Sequence, residues 1–287
     1  MNRRRFISLA AGVAVAGTAA AQQSASFRPG VALVLGGGGC RGYGHIGVIR
    51  VLQKYDLRPD LVVGSSAGSL VGALYAAGLG ADRLEQLGNR LTPNLLRDWI
   101  FPKLGIFGGD AIRRFVAATV GERTIESLPT RFAAVATDLR TGEQKVFDRG
   151  DLGLAVQASS SAPGLIEPAH INGGDYVDGN ISAPVPVGAA RLLGARRVLA
   201  VDVTFPPEQA DLSDPFDALY QAFSILTRRL ALEDRAGADL LIEPAIPEHH
   251  DMSTATLKAL VEAGERSALA ALPKLRPLFA RAAIEPG

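Results

Sequence analysis

Gly64-Ser65-Ser66-Ala67-Gly68 follows the apolar triplet Leu61-Val62-Val63 and precedes a stretch of helical spacing. A G-x-S-x-G sequence between a strand and a helix can hold a serine exposed on a sharp turn at a sheet edge. Ser66 would then be a nucleophile, placed at a helix start whose dipole and free amides favour developing negative charge. Gly64 and Gly68 are needed on steric grounds, because a Cβ at either would meet neighbouring backbone. An ordinary glycine-rich turn with exposed serines fits the motif alone equally well. A second glycine cluster adds weight. Seven of the twelve residues from Gly36 to Gly47 are glycine. Consecutive glycines at Gly36, Gly37, Gly38 and Gly39 let backbone amides converge on an anion. In a serine hydrolase that anion is the tetrahedral oxyanion.

The same loop also spells G-x-G-x-x-G through Gly37, Gly39 and Gly42, a dinucleotide fingerprint. That site wants an acidic residue at the end of the second strand. The nearest acid, Asp60, precedes that strand, and the serine turn occupies its end. No G-x-x-x-x-G-K-[ST] occurs, which excludes a P-loop. Arg41 is expected to support the loop, and Cys40, the single cysteine, to pack as a small core residue. One cysteine excludes an internal disulfide framework and a cysteine-rich zinc site.

A serine nucleophile needs a base, and histidine is the usual one. The chain has four. His45 lies on the helix after the glycine loop, where packing is expected, and His170 is isolated. His249 and His250 fall late enough for the order Ser, Asp, His, in a polar stretch. Asp178-Gly179-Asn180 reads by itself as a turn.

The elements that would position these residues follow from hydrophobic patterning. Val31–Leu35 is an apolar run ending in glycines, a buried strand. Residues 44–55 carry Ile46, Ile49 and Leu52 at helical spacing. Residues 61–63 form a second strand, and a helix over 70–77 ends at Gly78. Further strands are expected at 132–136, 198–203 and 240–242. Asp214-Pro215 opens a helix, in which Phe216, Leu219, Phe223, Leu226 and Leu230 form one apolar stripe. Strand, loop, helix, strand, turn, helix predicts one α/β domain, a parallel-rich sheet sandwiched by helices. The C-terminal helices, through about Leu278, are expected to pack on the sheet. Residues 95–107, with Trp99, Phe101 and Phe107 around Pro102 and Gly105, read either as a lid or as a buried helix-turn.

Composition agrees with a globular domain: 287 residues, 47% hydrophobic and 21% charged, too apolar for a disordered chain. A net charge of +1 argues against a general nucleic-acid binder. Residues 1–21 differ from the rest. Arg3, Arg4 and Arg5 precede an uncharged apolar run that ends in Ala19-Ala20-Ala21. Basic start, short apolar run and Ala-x-Ala make a signal peptide, and the two arginines before Phe6 favour the twin-arginine route. Export to the periplasm is therefore expected, with a short linker at 22–30 and the folded domain at 31–287. Removing 1–21 takes away three arginines and no acid, turning the net charge from +1 to −2.

These residues together resemble the patatin-like phospholipases in their bacterial form. The glycine loop ending in Arg41-Gly42, the elbow at Ser66 and the Asp178-Gly179 turn occur in the family's order, and the likeness runs over about 31–244. Residues 158–163 and 198–202 are also similar to family sequence. The resemblance implies a lipid acyl-ester substrate and a catalytic dyad without histidine or cofactor. Ser66 is then the nucleophile and Asp178 the general base. The amides of Gly37, Gly38 and Gly39 form the oxyanion hole, and transient contact with a membrane surface is implied. Arg41, Gly42, Gly64, Gly68, Gly179 and Asn180 support the motifs. Asn180 departs from the Gly or Ala usual there. A Ser-His-Asp esterase using His249 or His250, and a catalytically weak acyl-lipid binding protein, are the rival readings.

Overall fold

The structure is a computed structural model. It describes residues 30–89, 98–99, 107–206, 215–246 and 253–280. The leader 1–21, the linker up to residue 29, Asp214, His249 and His250 lie outside the described residues.

The described elements run β1 (Val31–Leu35), α1 (Tyr43–Lys54), β2 (Leu61–Ser65), α2 (Ala67–Ala76), α3 (Ala81–Gly88), β3 (Asp98–Trp99) and β4 (Phe107–Gly108). Then come α4 (Asp110–Val120), β5 (Arg131–Asp138), β6 (Gln144–Phe147), α5 (Leu152–Ser160), β7 (Ala169–Ile171) and β8 (Gly174–Asp178). The last are α6 (Val187–Leu192), β9 (Arg197–Val201), α7 (Pro215–Asp234), β10 (Leu240–Ile242) and α8 (Thr254–Phe279). The main sheet has the order β10-β9-β1-β2-β5-β8-β7, with β6 also on β5. The strands from β10 to β5 are parallel, whereas β6, β7 and β8 pair antiparallel.

Every residue of β1 is buried, because helices cover both faces of the sheet. Leu33 and Leu35 join one apolar cluster with residues of α1, α2 and α8. Ala32 and Val34, pointing the other way, join a second cluster with Val187, Ala189 and Ala190 of α6. A strand covered on two faces reads as a continuous apolar run. α8 lies chiefly against α1 rather than on the sheet. Two glycines permit that approach: a Cβ on Gly47 would stand 1.9 Å from the Val261 carbonyl oxygen, and one on Gly264 1.9 Å from that of Gly44.

Two expectations need correction. In the apolar stripe of α7, Leu219 and Leu226 do not face the core: Leu219 is 70% exposed and Leu226 65%. The helix instead buries Ser224, Thr227 and Ala231, and Arg228 ties it to Asp202. Cys40 is exposed rather than packed in the core. It sits in a single 3-10 turn, Gly39–Gly42, that turns Arg41 inward and Cys40 outward. Within 95–107 the described residues Asp98, Trp99 and Phe107 belong to a two-stranded antiparallel ribbon, with Asp98 opposite Gly108 and Trp99 opposite Phe107. The rest of that lid candidate lies outside the described residues.

Candidate active site

The site is assembled along one edge of β5. β2 pairs with the first part of that edge, up to Ser65 opposite Val135. β8 runs in from the other end and pairs with the remainder, starting at Asp178 opposite Ala136. The opposite edge of β5 is taken by β6. The two strand ends therefore meet head to head over adjacent β5 residues, and the chain leaves each of them at a reactive side chain.

At the end of β2 the backbone turns sharply. Ser66 has φ 51° and ψ −124°, a conformation that costs a non-glycine residue about 1–3 kcal/mol. Surrounding contacts hold it there. Its N–H donates to Ser159 Oγ at 3.0 Å, and Ser159 Oγ–H donates to the Val135 carbonyl at 2.5 Å. Its carbonyl accepts from Ser69 Oγ at 2.7 Å and Ser160 Oγ at 3.3 Å. The flanking glycines leave no room for a side chain: a Cβ on Gly64 would lie 2.4 Å from the Gly68 carbonyl oxygen, and one on Gly68 2.0 Å from that of Leu35. Ser159 and Ser160, on α5, were not singled out as functional residues. Besides the family likeness of 158–163, their signal is the run Ser159-Ser160-Ser161 at a helix end, where serine is a poor former unless its hydroxyl has a partner.

Ser66 Oγ donates to Asp178 Oδ2 at 2.7 Å. The other carboxylate oxygen accepts the Asn180 N–H at 2.9 Å. Asp178 is 4% exposed. Burial pushes its pKa up to about 6, against the lowering effect of the Asn180 N–H and the Ser66 hydroxyl. A carboxylate so raised is a better base than one in water. Gly179 fits because a Cβ there would lie 2.2 Å from the Val135 carbonyl oxygen.

The glycine loop lies beside this pair. Gly37 N–H donates to the Pro184 carbonyl at 2.9 Å, so of the three expected oxyanion amides this one is already engaged. Among the described residues the amides of Gly38 and Gly39 make no hydrogen bond. Gly38 packs on the segment just after β9, where a Cβ would lie 2.3 Å from the Val203 carbonyl oxygen; Gly39 has φ +55°. Arg41 is buried and its Nε donates to that Val203 carbonyl at 3.1 Å, which makes it a support of the loop. A Cβ on Gly42 would meet the Ala67 Cβ at 2.7 Å, so this glycine lets the loop close on the elbow helix.

No described histidine reaches Ser66. His45 is fully buried, and its Nε2–H donates to the Gly36 carbonyl at 2.7 Å. Burial drives its pKa down to about 4, so it is neutral near pH 7. His170 sits exposed on the β7–β8 hairpin with Asp175. Beside Ser66 opens a cavity of about 260 Å³, lined by Ile46, Leu70, Leu74, Leu84, Ile112 and Phe115 among others. Its walls are mostly apolar and its lining also includes Ser66, Gly39 and Cys40, an arrangement suited to an acyl chain whose carbonyl stops at the serine.

A strained serine at a strand-to-helix turn, bonded to a buried carboxylate beside free loop amides, defines a serine-hydrolase type of site on an α/β sheet. The patatin-like phospholipase family model matches residues 33–191, which include every one of these groups. The chain belongs to that family. An NTE family protein of Mycobacterium tuberculosis is 38% identical over 188 residues, covering 64% of this chain and 52% of that protein. A protein of Meyerozyma guilliermondii named as a lysophospholipase is 32% identical over 179 residues, 60% of this chain and 12% of that one. The chain thus spans about half the length of the mycobacterial relative and a small part of the other. Among solved structures, VipD from Legionella pneumophila shares the fold, with a TM-score of 0.58 at 15% identity over 86% of this chain and 67% of its own.

Proposed function

We propose that the protein hydrolyses carboxylic esters of lipids, in the manner of a phospholipase A or lysophospholipase, through a Ser66–Asp178 dyad and an acyl-enzyme. The observation that carries this reading is the 2.7 Å bond from Ser66 Oγ to a buried carboxylate. Ser66 Oγ attacks the ester carbonyl carbon while its proton passes to Asp178. The carbonyl oxygen becomes an oxyanion held by the Gly38 and Gly39 amides. Collapse expels the alcohol oxygen, which takes the proton back from Asp178. Water then gives a proton to Asp178 and attacks the acyl-enzyme, which releases the fatty acid and restores Ser66. The apolar cavity accounts for an acyl substrate, and the lysophospholipase relative supports a glycerolipid ester. A fluorophosphonate probe tests the reading: mass spectrometry should find its adduct on Ser66, and none in Ser66→Ala. An unlabelled Ser66 in the folded protein would favour an acyl-lipid binding protein.

The base must be ionised to act. Asp178 loses its proton as pH rises through about 6, so kcat/KM on a soluble ester should climb through about pH 6 and then level. A limb near pH 4 would mean a water-exposed carboxylate, and one above 7 a different base.

Transient contact with a lipid surface completes the reading. The outer face of α7 carries exposed Leu219, Tyr220, Ile225 and Leu226. It starts close to the site, where Cys40 and Asp178 act electrostatically on Tyr220. No described helix is long and apolar enough to cross a membrane. Because both side chains lie outside the core, the double change Leu219→Gln, Leu226→Gln should leave the melting temperature within about 2 °C. Turnover of phospholipid vesicles should fall severalfold while that of a soluble ester holds. Equal losses on both substrates would exclude the surface role.

A further inference from the structure

Asn180 touches both halves of the site. Its N–H holds Asp178 Oδ1 at 2.9 Å. Its carboxamide lies against Gly37, where a Cβ would stand 1.9 Å from Asn180 Oδ1 and 2.6 Å from both Cγ and Nδ2. Oδ1 is buried and accepts no hydrogen bond among the described residues. A buried polar atom without a partner is destabilising, so stability alone does not favour asparagine here. What Oδ1 faces is the Cα–H of Gly37, a weak donor.

Gly37 is gripped twice by one segment. Pro184, four residues after Asn180, takes the Gly37 N–H at 2.9 Å, and Asn180 covers its Cα. The two amides free for an oxyanion, Gly38 and Gly39, follow directly in the chain. The segment that carries the base therefore also sets where the oxyanion amides stand.

We propose that Asn180 is a positioning residue for ester hydrolysis, which fixes the spacing between Asp178 and the oxyanion loop by seating its carboxamide on Gly37. This rests on the hydrolase reading above. Asn180 is not among the residues that line the apolar cavity, so substrate binding should be indifferent to its carboxamide. Misplacement of catalytic groups by about 1 Å can cost on the order of 100-fold in rate.

The test is a double-mutant cycle on kcat, KM and the pH profile with a soluble ester, each protein checked for folding by its melting curve. Asn180→Ala keeps the N–H to Asp178, so the limb near pH 6 and KM should stay while kcat drops about tenfold or more. Gly37→Ala drives its new Cβ into Asn180 and should lose about 100-fold in kcat. In the double variant the space vacated at position 180 admits that Cβ, and kcat should recover about tenfold over Gly37→Ala. A double variant no faster than Gly37→Ala, or an Asn180→Ala enzyme with wild-type kcat, overturns the proposal. So would a rise in KM matching the fall in kcat. Absence of a phosphonate adduct on wild-type Ser66 would sink the hydrolase reading instead, and the same cycle read in melting temperature would still score the Asn180–Gly37 contact.

Discussion

Asp178→Asn should yield a protein that is more stable than the parent at neutral pH and almost inactive. The loss follows from the single proton in the dyad. In the parent, Ser66 Oγ donates to Asp178 Oδ2 and the Asn180 N–H is accepted by Oδ1. Asparagine can keep both contacts by turning its carbonyl to Asn180 and its NH2 to Ser66, but it has no lone pair of basic strength to take the serine proton. Removing one member of such a unit costs roughly 1,000- to 10,000-fold in turnover. The gain follows from linkage. Asp178 has a folded pKa of about 6 against an ordinary 3.8. Between those values the folded protein binds the extra proton, so stability falls as pH rises from about 4 to about 6 and stays reduced above. A neutral amide escapes that penalty, which amounts to at most about 3 kcal/mol. Thermal melts at pH 8 should show Asp178→Asn above the parent by several degrees, and melts near pH 4 should show the two together. Turnover within tenfold of the parent would hand the base to another group, with His249 and His250 the first to mutate. A lower melting temperature at pH 8 would mean that the carboxylate is better solvated than its burial implies.

How much of this was open to inspection in the sequence depends on which force makes each element. β1, β2 and β9 are buried on both faces, so their apolar runs announced them, and α1 showed its period through Ile46, Ile49 and Leu52. β6 and β8 are different. Gln144-Lys145-Val146-Phe147 and Gly174-Asp175-Tyr176-Val177-Asp178 have no apolar run, and they are strands because β5 offers them both edges. That pairing puts Asp178 next to Ser66, so the dyad was reachable only through family likeness. The outward stripe of α7 shows a related limit. Helical period fixes that one face is apolar, but not that the face meets a core, and here the inner face is built from Ser224, Thr227, Arg228 and Ala231. Cys40 followed composition in the expectation and turn geometry in the fold. The engaged amide of Gly37 could not be read at all, since its partner is a carbonyl 147 residues away.

Asp202→Ala should be the most destabilising single change at the rim of the site, and the activity should fall with it. Asp202 follows β9 and its side chain is fully buried. Oδ1 accepts from Thr204 N at 2.9 Å and Thr204 Oγ1 at 2.7 Å. Oδ2 accepts from Arg228 at 2.9 Å and Arg235 at 2.6 Å. Both arginines reach on to Glu243 just after β10, at 2.5 and 2.9 Å. The network thus closes β9, β10 and α7 around residues 202–204. Between them lies Val203, whose carbonyl takes Arg41 Nε and packs over Gly38. Losing one partner of a buried ion pair costs about 3–5 kcal/mol because it strands the other charge. Glu243 remains for both arginines, which places the expected loss near the lower end, about 3 kcal/mol. Asp202→Asn keeps an acceptor for Thr204 and should lose less. Because Val203 carries Gly38, kcat should drop in both variants even at temperatures well below their melting points. The Arg228→Met change, which removes a cation but fills its space, separates the two effects: stability should fall less than in Asp202→Ala, and kcat should stay closer to the parent since the Asp202–Thr204 bonds persist. Melting curves of the three variants, read beside their turnover of one soluble ester, decide it. If Asp202→Ala melts within about 1 °C of the parent, the cluster does not hold the glycine loop in place.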